Sequence, residues 1–259
     1  MGFVRLQRTN IHCQLTGDAS LPVLILAHSL GVNMAMWDPQ VTALEARFRL
    51  LRYDIRGHGA SSVPPSPASA EQLGYDVLGL LDALEIERAS FCGISMGGSI
   101  GQWLGIRAAD RLDKLILANT AAKIGNSDGW NARIAQVLNH GLGEIIPGTL
   151  ERWFTAEFRS THPETIASIR ALLEATDVHG YAACCAAVRD ADFRSEICKI
   201  NVPTLVISGT RDPVTTTSDC RWLADNIPGA AFVELHAAHL SNVEAAPEFT
   251  AALLSFLAA

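Results

Sequence analysis

The chain has 259 residues, 49% of them apolar and 18% charged, with a formal net charge of −7. That length suits one large α/β domain or two small ones, and the composition fills a core and excludes a disordered chain. The 20 basic residues are dispersed and offer no footprint for nucleic acid, and no apolar run approaches the ~18 residues of a membrane span.

The first residues, Met1-Gly2-Phe3-Val4-Arg5, do not form a basic-then-apolar leader, so a soluble, cytoplasmic protein is expected. The six cysteines (Cys13, Cys92, Cys184, Cys185, Cys198, Cys220) show no C-x-x-C spacing, and Cys184 and Cys185 are adjacent. This pattern suits neither a zinc site nor an easy disulfide, and predicts free thiols in a reducing compartment.

In chain order, Val4 to Leu6 and Ile11 to Leu15 predict an edge hairpin. Val23 to Ala27 is a continuous apolar run, the pattern of a strand covered on both faces. A helix over Met36 to Ala46 and a strand over Arg49 to Tyr53 follow, and Pro64-Pro65-Ser66-Pro67 reads as a loop. Ala70 to Leu84 carries Leu73, Val77, Leu80, Leu81 and Leu84 at helical spacing. Ala89 to Cys92 and Leu115 to Ala118 predict strands around a helix over Ser99 to Ala109.

About 80 residues without a clear strand come next, with helices expected over Trp130 to Asn139, Thr149 to Phe158, Pro163 to Glu174 and Gly180 to Arg189. Strands at Thr204 to Ser208 and Phe232 to Leu235, then a helix over Val243 to Leu257, resume the alternation. The pattern predicts an α/β fold with a mostly parallel central sheet and helices on both faces. Residues 1–121 and 199–259 form the expected core domain. Residues 122–198 form a helical lid inserted before the late strands, over the sheet edge where ligands bind in such folds.

Gly93-Ile94-Ser95-Met96-Gly97 sits where a strand turns into a helix, the context of the nucleophile elbow of an α/β-hydrolase. A serine hydroxyl needs a base to take its proton and an acid to orient that base. In this fold their chain order is Ser, acid, His. Asp212 follows the strand Thr204 to Ser208, and His239 follows Phe232 to Leu235, so Ser95, Asp212 and His239 are the candidate triad. His236, at the strand end, is the second choice of base. The Met96 N–H and one from His28-Ser29-Leu30-Gly31, Leu30 first and Ser29 next, are candidate oxyanion donors. His28 is assigned to anchoring its loop, and Asp54 to Ser61 to architecture.

Almost the whole chain resembles the 3-oxoadipate enol-lactonases, a family of α/β-hydrolases. The resemblance lies in His28 to Gly31, Phe91 to Gly98, Asn119-Thr120-Ala121-Ala122-Lys123-Ile124-Gly125, Arg152-Trp153-Phe154-Thr155 and His239-Leu240-Ser241-Asn242. Ser29 and the stretch from Asn119 are its most discriminating parts. Thr216 departs from the proline often found there in related hydrolases. No decarboxylase-like extension follows Ala259, so the stand-alone form of the enzyme is expected.

The resemblance implies opening of a small anionic lactone to 3-oxoadipate in aromatic degradation, by an acyl-enzyme and with no metal or other cofactor. It also implies a cation for the substrate carboxylate. Arg133 is the candidate anchor and Arg189 the alternative, with Trp130 and Trp153 as pocket walls. A broader carboxylesterase or cofactor-free perhydrolase would use the same triad. A non-catalytic relative would usually lack a member of it, and a dehalogenase would need Asp in place of Ser95.

Overall fold

The apolar runs of the sequence become strands closed on both faces: every residue of β5 (Ala89–Ile94) and β7 (Thr204–Gly209) is buried, as are the last four of β3 (Val23–Ala27). The computed structural model describes residues 2–6, 9–65 and 67–258; Ser66, in the expected proline-rich loop, lies outside them. The remaining strands are β1 (Gly2–Leu6), β2 (Thr9–Thr16), β4 (Arg49–Tyr53), β6 (Leu112–Ala118) and β8 (Ala231–Leu235). The α-helices are α1 (Asp38–Glu45), α2 (Ala70–Ala83), α3 (Met96–Arg107), α4 (Ser127–His140), α5 (Ile146–Trp153), α6 (Ala156–Thr161), α7 (Pro163–Glu174), α8 (Val178–Asp190), α9 (Thr217–Asn226), α10 (Ser241–Glu244) and α11 (Ala246–Ala258). None is long and apolar enough to cross a membrane.

The strands form one sheet in the order β1-β2-β4-β3-β5-β6-β7-β8, antiparallel across β1-β2 and β2-β4 and parallel elsewhere. From β3 the chain steps one way to β4, then returns past β3 to β5. Right-handed crossovers therefore put α1 on one face and α2, α3 and α9 on the other. Helix α11 packs on α1, with Trp37 against Phe249 at 6.0 Å, and α2 packs on α3. The reversal leaves a crevice beyond the carboxyl ends of β3 and β5, where open α/β sheets bind ligands.

Several helices differ from their expected limits. The helix after β5 begins at Met96, three residues early, because the elbow turns straight into it. The expected Thr149–Phe158 helix breaks where Phe154 is extended and Thr155 caps α6. The last expected helix divides at Ala245, because Pro247 belongs to the first turn of a new helix and cannot extend α10. Helix α9 was not expected. Thr216, the departing residue noted above, starts it with a capping box shared with Asp219.

Helices α4 to α8 fill the interval between β6 and β7 and are fastened to the rest at separate points. Thr176 Oγ1 donates to Gly31 O (2.9 Å), Ala68 N–H to Ala183 O (3.1 Å) and Leu240 N–H to Trp153 O (3.1 Å). Glu244 accepts from Thr155 N–H and from the Thr155 hydroxyl. At the N-terminus of α8, Gly180 lies so close to Gly57 that a Cβ on either would overlap the other's backbone. Gly180→Ala is accordingly expected to lower stability by about 2 kcal/mol, read as a lower urea midpoint at unchanged slope.

Candidate active site

The elbow is a backbone structure before it is a chemical one. Ser95 has φ 56° and ψ −112°, a conformation uncommon for a residue with a side chain. Its N–H donates to Ala118 O (3.0 Å), while its carbonyl accepts from Ser99 N–H (3.0 Å) and Thr120 Oγ1 (2.9 Å). A Cβ on Gly93 would run into the Gly97 backbone, one on Gly97 into the Ala27 carbonyl, and one on Gly98 into Thr120 at 2.6 Å. The glycines thus let α3 start hard against β3 and β6 and hold Ser95 up at the crevice.

Asp212 and His239 approach from the loops after β7 and β8. His239 Nδ1 lies 2.8 Å from Asp212 Oδ2, and both residues are buried. The Asp212 carboxylate also accepts from Val214 N–H (2.7 Å), Thr215 N–H (3.1 Å), Thr215 Oγ1 (2.8 Å) and Asn119 Nδ2 (3.0 Å). Burial alone would raise its pKa; the charge of His239 and these hydrogen bonds outweigh that and hold the carboxyl below its ordinary value. An ionised Asp212 fixes the proton on Nδ1 and leaves His239 Nε2 with its lone pair.

Asn119 is a residue that the sequence alone did not single out for the site. Fully buried and at φ 43°, it donates to both Asp212 and Ala238 O (3.1 Å) and accepts from Ser241 Oγ at 2.5 Å. It joins the acid loop to the histidine loop. Asn119→Ala strands those partners without bonds and is expected to cost roughly 3 kcal/mol, measurable by chemical unfolding.

The loop after β3 is held by two histidines. His28 Nε2 accepts from Ile55 N–H (2.9 Å) and its Nδ1 bonds Ser29 O (2.7 Å), the anchoring role expected of it. His58 Nε2 accepts from Gly31 N–H (2.9 Å). Asp54 accepts from Met34 N–H, Ala60 N–H and His12 Nδ1, and Arg56 pairs with Asp76, so the 54–61 loop is architectural, as expected. The Leu30 and Met96 N–H groups donate to no backbone or side-chain acceptor among the described residues.

Burial first, then the neighbouring His28, pushes the His58 imidazole down to about 3. Burial lowers His28 as well, and Asp54 only partly opposes both shifts. Their unfolded value is 6.5, so below it the unfolded chain binds more protons than the folded one. Stability is then complete above pH 6.5 and falls as pH drops toward about 3, with Asp212 adding to the loss only in the acid carboxylate range. Urea titrations between those limits should show this slope, and His58→Gln should flatten it.

These loops and α4, α5 and α8 enclose a cavity of about 300 Å³. Ser95, His239, Leu30 and Ser29 line its floor, and Trp130, Arg133 and Trp153 its walls. Trp130 Nε1 donates to Ile124 O (2.7 Å), and the Trp153 ring centre lies 6.4 Å from that of His239. His236 is exposed and outside the cavity. Arg189 is outside it too, paired with Asp190 and bonded to Asn131. Arg152 and Tyr181 line the cavity without having been expected there, because only the rotation of α5 and α8 decides which of their residues face inward.

A family model described as the alpha/beta hydrolase fold matches residues 22–246. The chain belongs to the α/β-hydrolase family. Within that family it is 44% identical over 237 residues to 3-oxoadipate enol-lactonase 2 of Acinetobacter baylyi, covering 92% of this chain and 89% of that one. It is 41% identical to 3-oxoadipate enol-lactonase 1 of the same organism, covering 94% and 91%. The crystal structure of the enol-lactonase from Burkholderia xenovorans LB400 superposes over the full length of both chains with a TM-score of 0.98 and 44% identity.

Proposed function

We propose that this protein hydrolyses 3-oxoadipate enol-lactone to 3-oxoadipate, the ring-opening step of the β-ketoadipate pathway of aromatic degradation. One observation carries the reading: a small cavity joins Ser95 and His239 to Arg133 and Arg152, which have no acidic partner among the described residues, so it suits a small ester that carries a negative charge. The identity to two enol-lactonases over about nine-tenths of the chain supports it. The six unpaired cysteines suit the reducing conditions of the cytoplasm.

In this reading Ser95 Oγ attacks the lactone carbonyl while His239 Nε2 takes its proton, with Asp212 holding the imidazole. The Leu30 and Met96 N–H groups receive the oxyanion. Collapse breaks the ring C–O bond and releases an enolate that stays attached to the acyl chain. The proton that His239 took from Ser95 passes to this enolate at carbon, which gives the ketone and leaves Nε2 free to act as a base again. Water, deprotonated by His239, then frees the acyl group from Ser95. Arg133 pairs with the substrate carboxylate, Trp130 and Trp153 shape the ring's surroundings, and residues 122–198 act as the lid.

The test follows loss of freshly generated enol-lactone by ultraviolet absorbance, beside p-nitrophenyl acetate. Ser95→Ala should lower lactone kcat by a factor on the order of 10⁴ to 10⁶. Arg133→Ala should raise KM for the lactone about tenfold, with less effect on the uncharged acetate. Good acetate turnover with negligible lactone turnover would reassign the protein to a broader esterase.

A further inference from the structure

Arg152 shares the cavity wall with Arg133. Its Nη2 donates to Thr149 Oγ1 at 3.3 Å, and neither arginine is ion-paired with a carboxylate among the described residues. Arg152 is half-buried on α5 and Arg133 half-buried on α4. Burial, and next the charge of Arg133, depresses the Arg152 guanidinium, so the two cations are close enough to repel. Burial raises the phenol of Tyr181, which lines the same cavity, against the pull of both arginines, so it supplies no counter-charge. Two like charges beside one small cavity are costly unless the ligand neutralises them.

The closed lactone brings a single carboxylate. Once Ser95 has opened the ring, the acyl group becomes a six-carbon chain esterified at one end and carboxylated at the other, with a new enolate oxygen between. That open chain keeps one carboxylate, the same group an acyclic half-ester would deliver to Ser95, and its two oxygens can take one guanidinium each. A cavity of about 300 Å³ is within the range of ligand sites.

We propose that Arg133 and Arg152 together read the terminal carboxylate of an open ω-carboxyacyl chain on Ser95, so that the protein also hydrolyses acyclic half-esters of six-carbon dicarboxylic acids. The inference rests on the acyl-enzyme reading given above and adds a substrate class to it. In the reaction Ser95 Oγ bonds the ester carbonyl, the C–O bond to the alcohol breaks, and the alcohol leaves with the proton held by His239. Water then cleaves the acyl-serine bond, so ester and water give diacid and alcohol.

The experiment compares mono-p-nitrophenyl adipate with its uncharged methyl ester, and with the succinate and suberate half-esters, subtracting the Ser95→Ala rate at each point. The adipate half-ester should exceed its methyl-capped counterpart about tenfold to a hundredfold in kcat/KM and should be the best of the three lengths. Arg152→Gln should reduce that charged-to-capped ratio about tenfold, and Arg152→Lys should restore part of it. Equal rates for charged and capped esters in the wild-type protein would overturn the proposal without any variant. So would a ratio that Arg152→Gln leaves unchanged. The enol-lactone is assayed in parallel: turnover of lactone but not of half-esters removes this proposal alone, and the reverse result removes the lactonase reading alone.

Discussion

The positive φ of Ser95 is the constraint on which the rest of the molecule depends. Such a conformation costs on the order of 1–3 kcal/mol and persists only where the surroundings over-determine it. Here they do so through backbone. The Ser95 N–H is taken by β6, its carbonyl by α3 and Thr120, and the glycines beside it have neighbours where side chains would stand. The consequence spreads outward. Because α3 must begin against the end of β3, the crevice at the strand reversal brings together the Met96 N–H, the loop at Leu30 and the serine hydroxyl.

A second layer of order comes from buried polar groups that link loops with no strand in common. Asn119 joins the ends of β6, β7 and β8 through Asp212, Ala238 and Ser241. His28 and His58 join the loops after β3 and β4 by accepting backbone N–H groups, which neutral imidazole does and imidazolium cannot. These groups are satisfied within the protein, so each loop's position is set by the others. Glu244 extends the same arrangement, accepting from Ala238 N–H (2.8 Å) on one side and Thr155 on the other.

Much of this was legible in the sequence, for identifiable reasons. Strands β3 and β4 and helix α7 match their expected limits, the first because a strand covered on both faces is an unbroken apolar run. Asp212 and His239 could be chosen because each follows such a strand, and they lie in hydrogen-bond contact. Helix α9 escaped because its buried face is only Cys220, Leu223 and Ala224 on an otherwise polar segment. Arg152 sits within one of the stretches that carry the family resemblance, yet an arginine beside a tryptophan does not show which way its helix is turned. Asn119 is a similar case: its contacts depend on a backbone angle that amino-acid type only weakly favours.

The fastenings of α4 to α8 bear on how such a protein can be rebuilt. An insertion between two strands invites treatment as an interchangeable cassette, to be swapped for that of another hydrolase when a new specificity is wanted. In this chain the cassette's sockets lie outside it. Gly57, Gly31, Ala68, Leu240 and Glu244 all belong to the sheet-bearing part, and each receives a particular partner at Gly180, Thr176, Ala183, Trp153 or Thr155. A transplanted segment would need to bring matching plugs, a backbone as bare as that of Gly180 among them. Point changes at the cavity wall are therefore the more tractable route to altered selectivity.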